Sequence, residues 1–196
     1  MMKQFQDERV MVFIDIRNVL NSIDHTMGRV LVDFKAIVNN LVGERRLMGA
    51  YIFDGERAIG EEDPCRKFHD LLRSTGFRAV IRSSSYDPDT REQKEVDVSL
   101  ACEMLKHGYK DHYDTAIIVS GDRDFLPAVE CMQSEGKKVE VASFENVISC
   151  SLKRNCDIYH PLDSMPIISI ETRCPIDTDD MADTGIQSME VVENVA

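Results

Sequence analysis

The feature that most constrains this fold is a pair of short, almost uninterrupted apolar runs, Val10–Ile14 and Thr115–Val119. A strand that is apolar along its whole length is covered on both faces, as in a parallel sheet that lies between helices. Amphipathic stretches with helical spacing separate these runs from other short apolar runs, and this rhythm is typical of βα units. We therefore predict an α/β fold, a three-layer αβα sandwich with a central, mainly parallel sheet of about five strands. The predicted strands are Val10–Asp15, Leu47–Phe53, Phe77–Ile81, Thr115–Val119 and Val139–Ala142, with Asp157–Tyr159 as a candidate sixth strand at the edge.

The periodic pattern ends near residue 160, which predicts one domain over residues 1–160 and a flexible acidic tail over residues 161–196. The tail has eight acidic residues and one base, whereas the domain has 27 acidic and 22 basic residues. The formal charge of −12 therefore belongs largely to the tail. The sequence shows no signal-peptide stretch and no run near the ~18 apolar residues of a membrane span. We expect a soluble, cytoplasmic protein with no membrane partner.

Four aspartates stand where predicted strands end or predicted helices begin, namely Asp15, Asp97, Asp122 and Asp124. The carboxyl ends of parallel strands meet at one edge of the sheet, where ligands bind, so we expect these acids to converge. Clustered carboxylates repel one another unless a cation or a shared proton intervenes. A hard divalent cation with oxygen ligands, Mg²⁺ or Mn²⁺, suits such a cluster. Taken one at a time, each acid is also explained by a local turn or a helix N-cap, so the hypothesis depends on their convergence.

Three segments resemble the signatures of NYN domains, in order and with domain-like spacing: Phe13–Asn18, Lys94–Val98 and Asp114–Phe125. A fourth segment, Gly136–Val141, is similar to the strand that follows them in that family. NYN domains are PIN-like, metal-dependent ribonucleases, and the LabA-like branch is the one that residues 9–160 resemble most. The resemblance implies a PIN-like, Rossmann-like sandwich and an enzyme that hydrolyses RNA phosphodiester bonds.

The same resemblance assigns roles to particular residues. It makes four residues both catalytic acids and metal ligands: Asp15, Asp97, Asp122 and Asp124. It also implies that three residues bind the substrate: Asn18, Lys94 and Ser120. Cations held by carboxylates activate water and neutralise phosphate charge, which is what phosphodiester hydrolysis requires. We expect RNA, single-stranded or structured, as the partner, and we keep open a homodimer or a protein partner that binds the acidic tail.

The chain departs from the family pattern at two positions. A small residue, often glycine, usually follows the first acid and the lysine, whereas Ile16 and Glu95 stand there in this chain. Neither change removes a ligand, but both bear on the shape and charge of the groove. A loosely basic stretch that leads into the acidic helix is a candidate for holding RNA phosphates. Its members are Arg73, Arg78, Arg82, Arg91 and Lys94.

Two other functions stay open at this point. The first is a non-catalytic RNA-binding or protein-binding regulatory module. The second is a haloacid-dehalogenase-like phosphatase, in which Asp15 would be the nucleophile. That mechanism expects a second acid two positions later, where this chain has Arg17.

Overall fold

Six parallel strands form one sheet in the computed structural model, which describes residues 7–27, 32–56, 64–83 and 94–167. The strands are β1 Arg9–Asp15, β2 Arg46–Glu56, β3 Arg78–Ser83, β4 Thr115–Val119, β5 Lys138–Ser143 and β6 Ile158–Pro161. The α-helices are α1 Ile16–Met27, α2 Phe34–Val42, α3 Pro64–Ser74, α4 Lys94–Tyr109, α5 Leu126–Ser134 and α6 Cys150–Asn155. Two short 3-10 helices, η1 Arg123–Phe125 and η2 Leu162–Ser164, complete the described elements.

The two apolar runs form adjacent strands at the centre of the sheet, whose order is β3-β2-β1-β4-β5-β6. Both β1 and β4 are buried along almost their whole length. Ile14 pairs with Val119 of β4, so the carboxyl ends of β1 and β4 are level, and Asp15 pairs with Phe53 of β2, which continues to Glu56. The order of connection reverses between β1 and β4, and such a reversal opens a crevice at the carboxyl edge of a parallel sheet.

Each face of the sheet packs against its own layer of helices. Ile16 of α1, Ile37 of α2 and Leu72 of α3 belong to the buried cluster on one face. On the opposite face, α4, α5 and α6 bury their apolar residues together with Phe13 and Ile118 of the central strands. The predicted αβα sandwich is therefore confirmed, and the candidate edge strand is present as β6.

The chain remains packed on the domain for a few residues after β6. Leu162 and Ile167 are buried, and the Asp33 N–H donates to the Ile167 carbonyl at 2.8 Å. Residues 168–196 of the tail predicted over residues 161–196 lie outside the described residues. Among the helices that the structure describes, none is both long and apolar enough to cross a membrane.

Candidate functional site

The crevice between β1 and β4 brings together three of the predicted acids. Asp15 is the last residue of β1, Asp122 lies three residues after β4, and Asp97 lies in the first turn of α4. The Asp15 side chain is enclosed, since the residue is only 6% exposed. The charges of Asp97 and Asp122 act on the Asp15 carboxyl strongly enough to change its pKa. The structure thus places these three acids at the carboxyl edge of the sheet, and their role as one metal site stays a prediction.

The environment of Asp15 is unfavourable for a carboxylate without a counter-ion. Burial is the largest cause that raises the pKa of Asp15, from 3.8 to about 7. The Asn18 N–H lowers this pKa by donating to the carboxyl, whereas the negative charges of Asp97, Asp122 and Asp54 raise it further. A cation at this position would stabilise the ionised form, because an opposite charge lowers a carboxyl pKa. The donor set, consisting of carboxylate, amide and hydroxyl oxygens, fits a hard divalent cation.

Two hydrogen-bonded paths join β1 to the loop after β4. In the first, the Asn18 N–H donates to Asp15 Oδ1 at 3.0 Å, and the Gly121 N–H donates to Asn18 Oδ1 at 2.9 Å. In the second, Ser120 Oγ donates to Asp15 Oδ2 at 3.4 Å and accepts from the Asp122 N–H at 3.3 Å. Asn18 and Ser120 thus lie at the site, where they hold the first acid and the loop of the second in fixed relative positions.

The remaining predicted residues are placed less directly. Asp122 caps η1 by accepting from the Asp124 N–H at 2.9 Å, so Asp124 meets the site through its backbone while its side chain is exposed. Lys94 begins α4 at the same edge, and its side chain lies outside the described residues. Within the described ranges, no three His, Cys, Asp or Glu side chains are gathered closely enough to enclose a metal ion by themselves.

A further acid at this edge, Asp54, was not predicted as a site residue. It lies in β2 next to Phe53, the partner of Asp15 in the sheet, and is only 2% exposed. Arg17 Nε donates to Asp54 Oδ1 at 2.7 Å, and His69 Nε2 lies 2.8 Å from Asp54 Oδ2. Burial raises the pKa of Asp54, but His69 and Arg17 together outweigh it and hold that pKa below its ordinary value. The signal was an aspartate near the end of a buried strand, which is the same pattern that singled out Asp15.

Gly121 holds the β4 loop against the neighbouring loop after β5. The Ser149 N–H donates to the Gly121 carbonyl at 3.0 Å. A Cβ atom at position 121 would lie 2.7 Å from Ser143 Oγ and 3.0 Å from the Val147 carbonyl oxygen. Glycine is therefore required here by the close approach of two backbone segments.

Comparisons with known proteins agree with this architecture. A family model described as NYN domain matches residues 9–163. The chain is 23% identical over 179 residues to "Low amplitude and bright protein LabA" of Synechococcus elongatus, and the match covers 87% of this chain and 92% of that protein. It is also similar to the crystal structure of a protein of unknown function from Vibrio parahaemolyticus, with a TM-score of 0.70 and 24% identity, over 86% of this chain and 100% of that one. At that identity the structural similarity shows the fold alone.

Proposed function

Since this chain belongs to the NYN domain family, and to its LabA-like branch, we propose that it is a metal-dependent ribonuclease that hydrolyses RNA phosphodiester bonds. Family membership supports the broader class, because NYN domains belong to the PIN-like nuclease superfamily. The finer proposal, RNA as substrate and Mg²⁺ or Mn²⁺ as cofactor, rests on the chemistry of the acids at the carboxyl edge.

One observation carries the proposal. Asp15 is buried, and the negative charges of Asp97 and Asp122 raise its pKa further. Like charges in a buried crevice are unfavourable for stability, and their placement there supports the proposal that a cation binds in the working state. Mg²⁺ keeps several waters and takes only one or two carboxylates in many phosphate-handling sites. A site with few protein ligands is therefore compatible with the proposal.

In this proposal, the side chains of Asp15, Asp97 and Asp122 would hold the cation. The exposed side chain of Asp124 would be the fourth acid, at the outer side of the site. A bound Mg²⁺ or Mn²⁺ supplies an activated water and neutralises charge on the phosphoryl oxygens. Asn18 keeps the Asp15 carboxylate oriented through its N–H, and its side-chain oxygen fixes the Gly121 loop.

The substrate would meet residues outside this acid set. Ser120 Oγ contacts the Asp15 carboxylate and the Asp122 backbone N–H, so its hydroxyl would hold the loop of Asp122 beside Asp15 while the substrate phosphate enters. Lys94, at the start of α4, would contact the phosphate from the rim.

The phosphatase alternative is disfavoured by a specific contact. An aspartyl-phosphate mechanism expects a general acid two residues after the nucleophile. Arg17 stands there, and its guanidinium pairs with the buried Asp54 carboxylate. The non-catalytic binding module makes the same contacts with RNA but no cleavage, so an activity assay separates it from the ribonuclease.

The test is cleavage of end-labelled RNA by the purified full chain, with Mn²⁺ or Mg²⁺ and with EDTA. We expect metal-stimulated products that disappear in Asp15→Asn and Asp122→Asn. Glu135→Gln is the matched control, because this exposed acid follows α5 at the opposite end of the sheet. Binding of RNA without any metal-stimulated cleavage would replace the ribonuclease with the binding module.

A further inference from the structure

Three cationic side chains at the carboxyl edge have no partner in the part of the chain that the structure describes. They are Arg66 and Lys67 at the start of α3 and Arg123 in η1, and all three are exposed. Arg123 is notable because Asp122 and Asp124 flank it in sequence, yet it forms an ion pair with neither among the described contacts. The Asp122 carboxylate is instead occupied by the Asp124 N–H.

Three members of the basic stretch suggested by the sequence are engaged elsewhere, and Arg91 and the Lys94 side chain lie outside the described residues. Arg73 pairs with Asp70 on the same helix at 2.7 Å. Arg78 donates to the Tyr51 hydroxyl at 2.8 Å, and its guanidinium lies over the Tyr51 ring. Arg82 Nε donates to Ser99 Oγ at 2.7 Å. Among the described side chains at the carboxyl edge, the cations that are free to meet an anion are therefore Arg66, Lys67 and Arg123.

The first two turns of α3 are held beside Asp54 and Arg17 by contacts of their inward face. His69 binds the buried Asp54, and the Cys65 sulfur lies 4.0 Å from Arg17 Nη2. Because residues 65, 68, 69 and 72 face inward, Arg66 and Lys67 face the solvent on the outer side of the same helix. Two cations thus lie near the amino end of α3, toward the carboxyl edge of the sheet, on the helical layer that contains α1 and α3.

Arg123 stands on the other side of the crevice. It belongs to η1, which follows β4 and is anchored by the buried Phe125 in the opposite helical layer. β1 lies between β2 and β4 in the sheet, and neighbouring strands are about 4.8 Å apart. The start of α3 and η1 are therefore on opposite sides of Asp15, separated along the edge by roughly 10 Å of sheet.

We propose that Arg66, Lys67 and Arg123 bind the phosphates of one RNA strand on the two sides of the acid crevice, so that the strand crosses the carboxyl edge from one helical layer to the other. This inference rests on the proposed ribonuclease function. A phosphate must enter the crevice to approach the buried Asp15, which a flexible single strand does more readily than a rigid duplex. The acids lie inside the crevice and the three cations lie outside it, so this acidic protein has a local basic surface that can bind a polyanion.

The test is the salt dependence of RNA binding by the full chain in EDTA, where metal-dependent cleavage is absent. The probe is a fluorescently labelled oligouridine, and fluorescence anisotropy gives Kd at several KCl concentrations. Each phosphate contact on a single strand contributes about 0.7 to the slope of log K against log salt. We expect Arg123→Gln to lower the slope by about 0.7 and Arg66→Gln/Lys67→Gln to lower it by about 0.7 to 1.4.

Arg46→Gln is the matched control. Arg46 is also exposed and without a side-chain partner among the described residues, but it begins β2, about 23 Å from the carboxyl edge by strand length. The slope of log K against log salt for this variant should equal that of the unaltered protein. Equal slopes for all variants, or no binding of the oligouridine at all, would overturn the inference.

Parallel cleavage assays with Mn²⁺ separate this inference from the proposed function. Metal-stimulated cleavage with unchanged slopes overturns the phosphate contacts and leaves the ribonuclease intact. Lowered slopes without cleavage support the phosphate contacts and refute the ribonuclease. Equal affinity for the oligouridine and for its duplex with oligoadenosine contradicts a single-stranded path.

Discussion

The substitution Asp15→Asn is expected to stabilise the metal-free protein while it abolishes the proposed activity. Asparagine has the same shape as aspartate and keeps an oxygen that accepts from the Asn18 N–H. It removes the buried negative charge that burial and the neighbouring acids oppose. The side chain that the proposed chemistry needs is therefore one that the apo fold tolerates poorly.

The magnitude follows from the pKa of Asp15. Raising this pKa from 3.8 to about 7 corresponds to about 4 kcal/mol, at 1.36 kcal/mol for each tenfold change in proton affinity. The folded-state pKa lies above the unfolded-state value, so the unaltered protein loses stability as pH rises from about 4 to about 7. The asparagine variant does not lose it. Its advantage in the free energy of unfolding should thus be small near pH 4 and approach 4 kcal/mol above pH 7.

The assay is urea unfolding in EDTA at several pH values, followed by the same series with Mn²⁺. Asp124→Asn is the control, because that side chain is exposed and its removal should leave the unfolding free energy nearly unchanged. Mn²⁺ at a hundred times its Kd should stabilise the unaltered protein by about 2.7 kcal/mol and the Asp15→Asn variant by far less. If Asp15→Asn is no more stable than the unaltered protein at pH 8 in EDTA, the reasoning from burial and clustered charge is refuted.

Two further substitutions test parts of the fold. Gly121→Ala should lower the melting temperature and the RNA-cleavage rate together, because the new methyl group would press on the Val147 carbonyl and displace the acid loop; a crystal structure with an unmoved loop would contradict this. Glu140→Gln should destabilise the protein at pH 7 by about 3 kcal/mol, since it removes the buried carboxylate that pairs with Arg45 and leaves only the more distant Glu8 beside that guanidinium. Burial raises the pKa of Glu140, but the contacts with its basic partners outweigh this effect and hold the pKa below its ordinary value. The stabilisation by the ion pair is therefore present above about pH 4 and is lost as the pH falls further. Unfolding curves of the two proteins should therefore converge in acid, and a constant difference at all pH values would count against the ion pair.

The central fold could be predicted because the determining signals are local. The apolar runs at Val10–Ile14 and Thr115–Val119 specify strands covered on both faces, and the level ends of parallel neighbours then bring Asp15 and Asp122 to the same edge. Asp33 was similarly readable, since an aspartate before an amphipathic run is a common N-cap, and its carboxylate accepts from the Ala36 N–H at 2.9 Å.

The parts that could not be predicted depend on contacts between residues far apart in the sequence. The pairing of Arg17 with Asp54 joins residues 37 positions apart, and no local pattern shows that a guanidinium and His69 will neutralise that acid. The need for glycine at position 121 comes from the approach of the loop after β5, which depends on how β4 and β5 align. Arg78 donates to the Tyr51 hydroxyl because the two residues are paired on the neighbouring strands β2 and β3.

The central claim is that the acids between β1 and β4 hold a divalent cation for phosphodiester hydrolysis. Crystals of the full chain soaked in Mn²⁺ test it most directly, through the anomalous difference map at the carboxyl edge. We expect a manganese peak in contact with carboxylate oxygens of Asp15 and Asp122, and no such peak in crystals of Asp122→Asn. A soaked crystal with no peak at this edge, or with manganese bound only elsewhere on the surface, would contradict it.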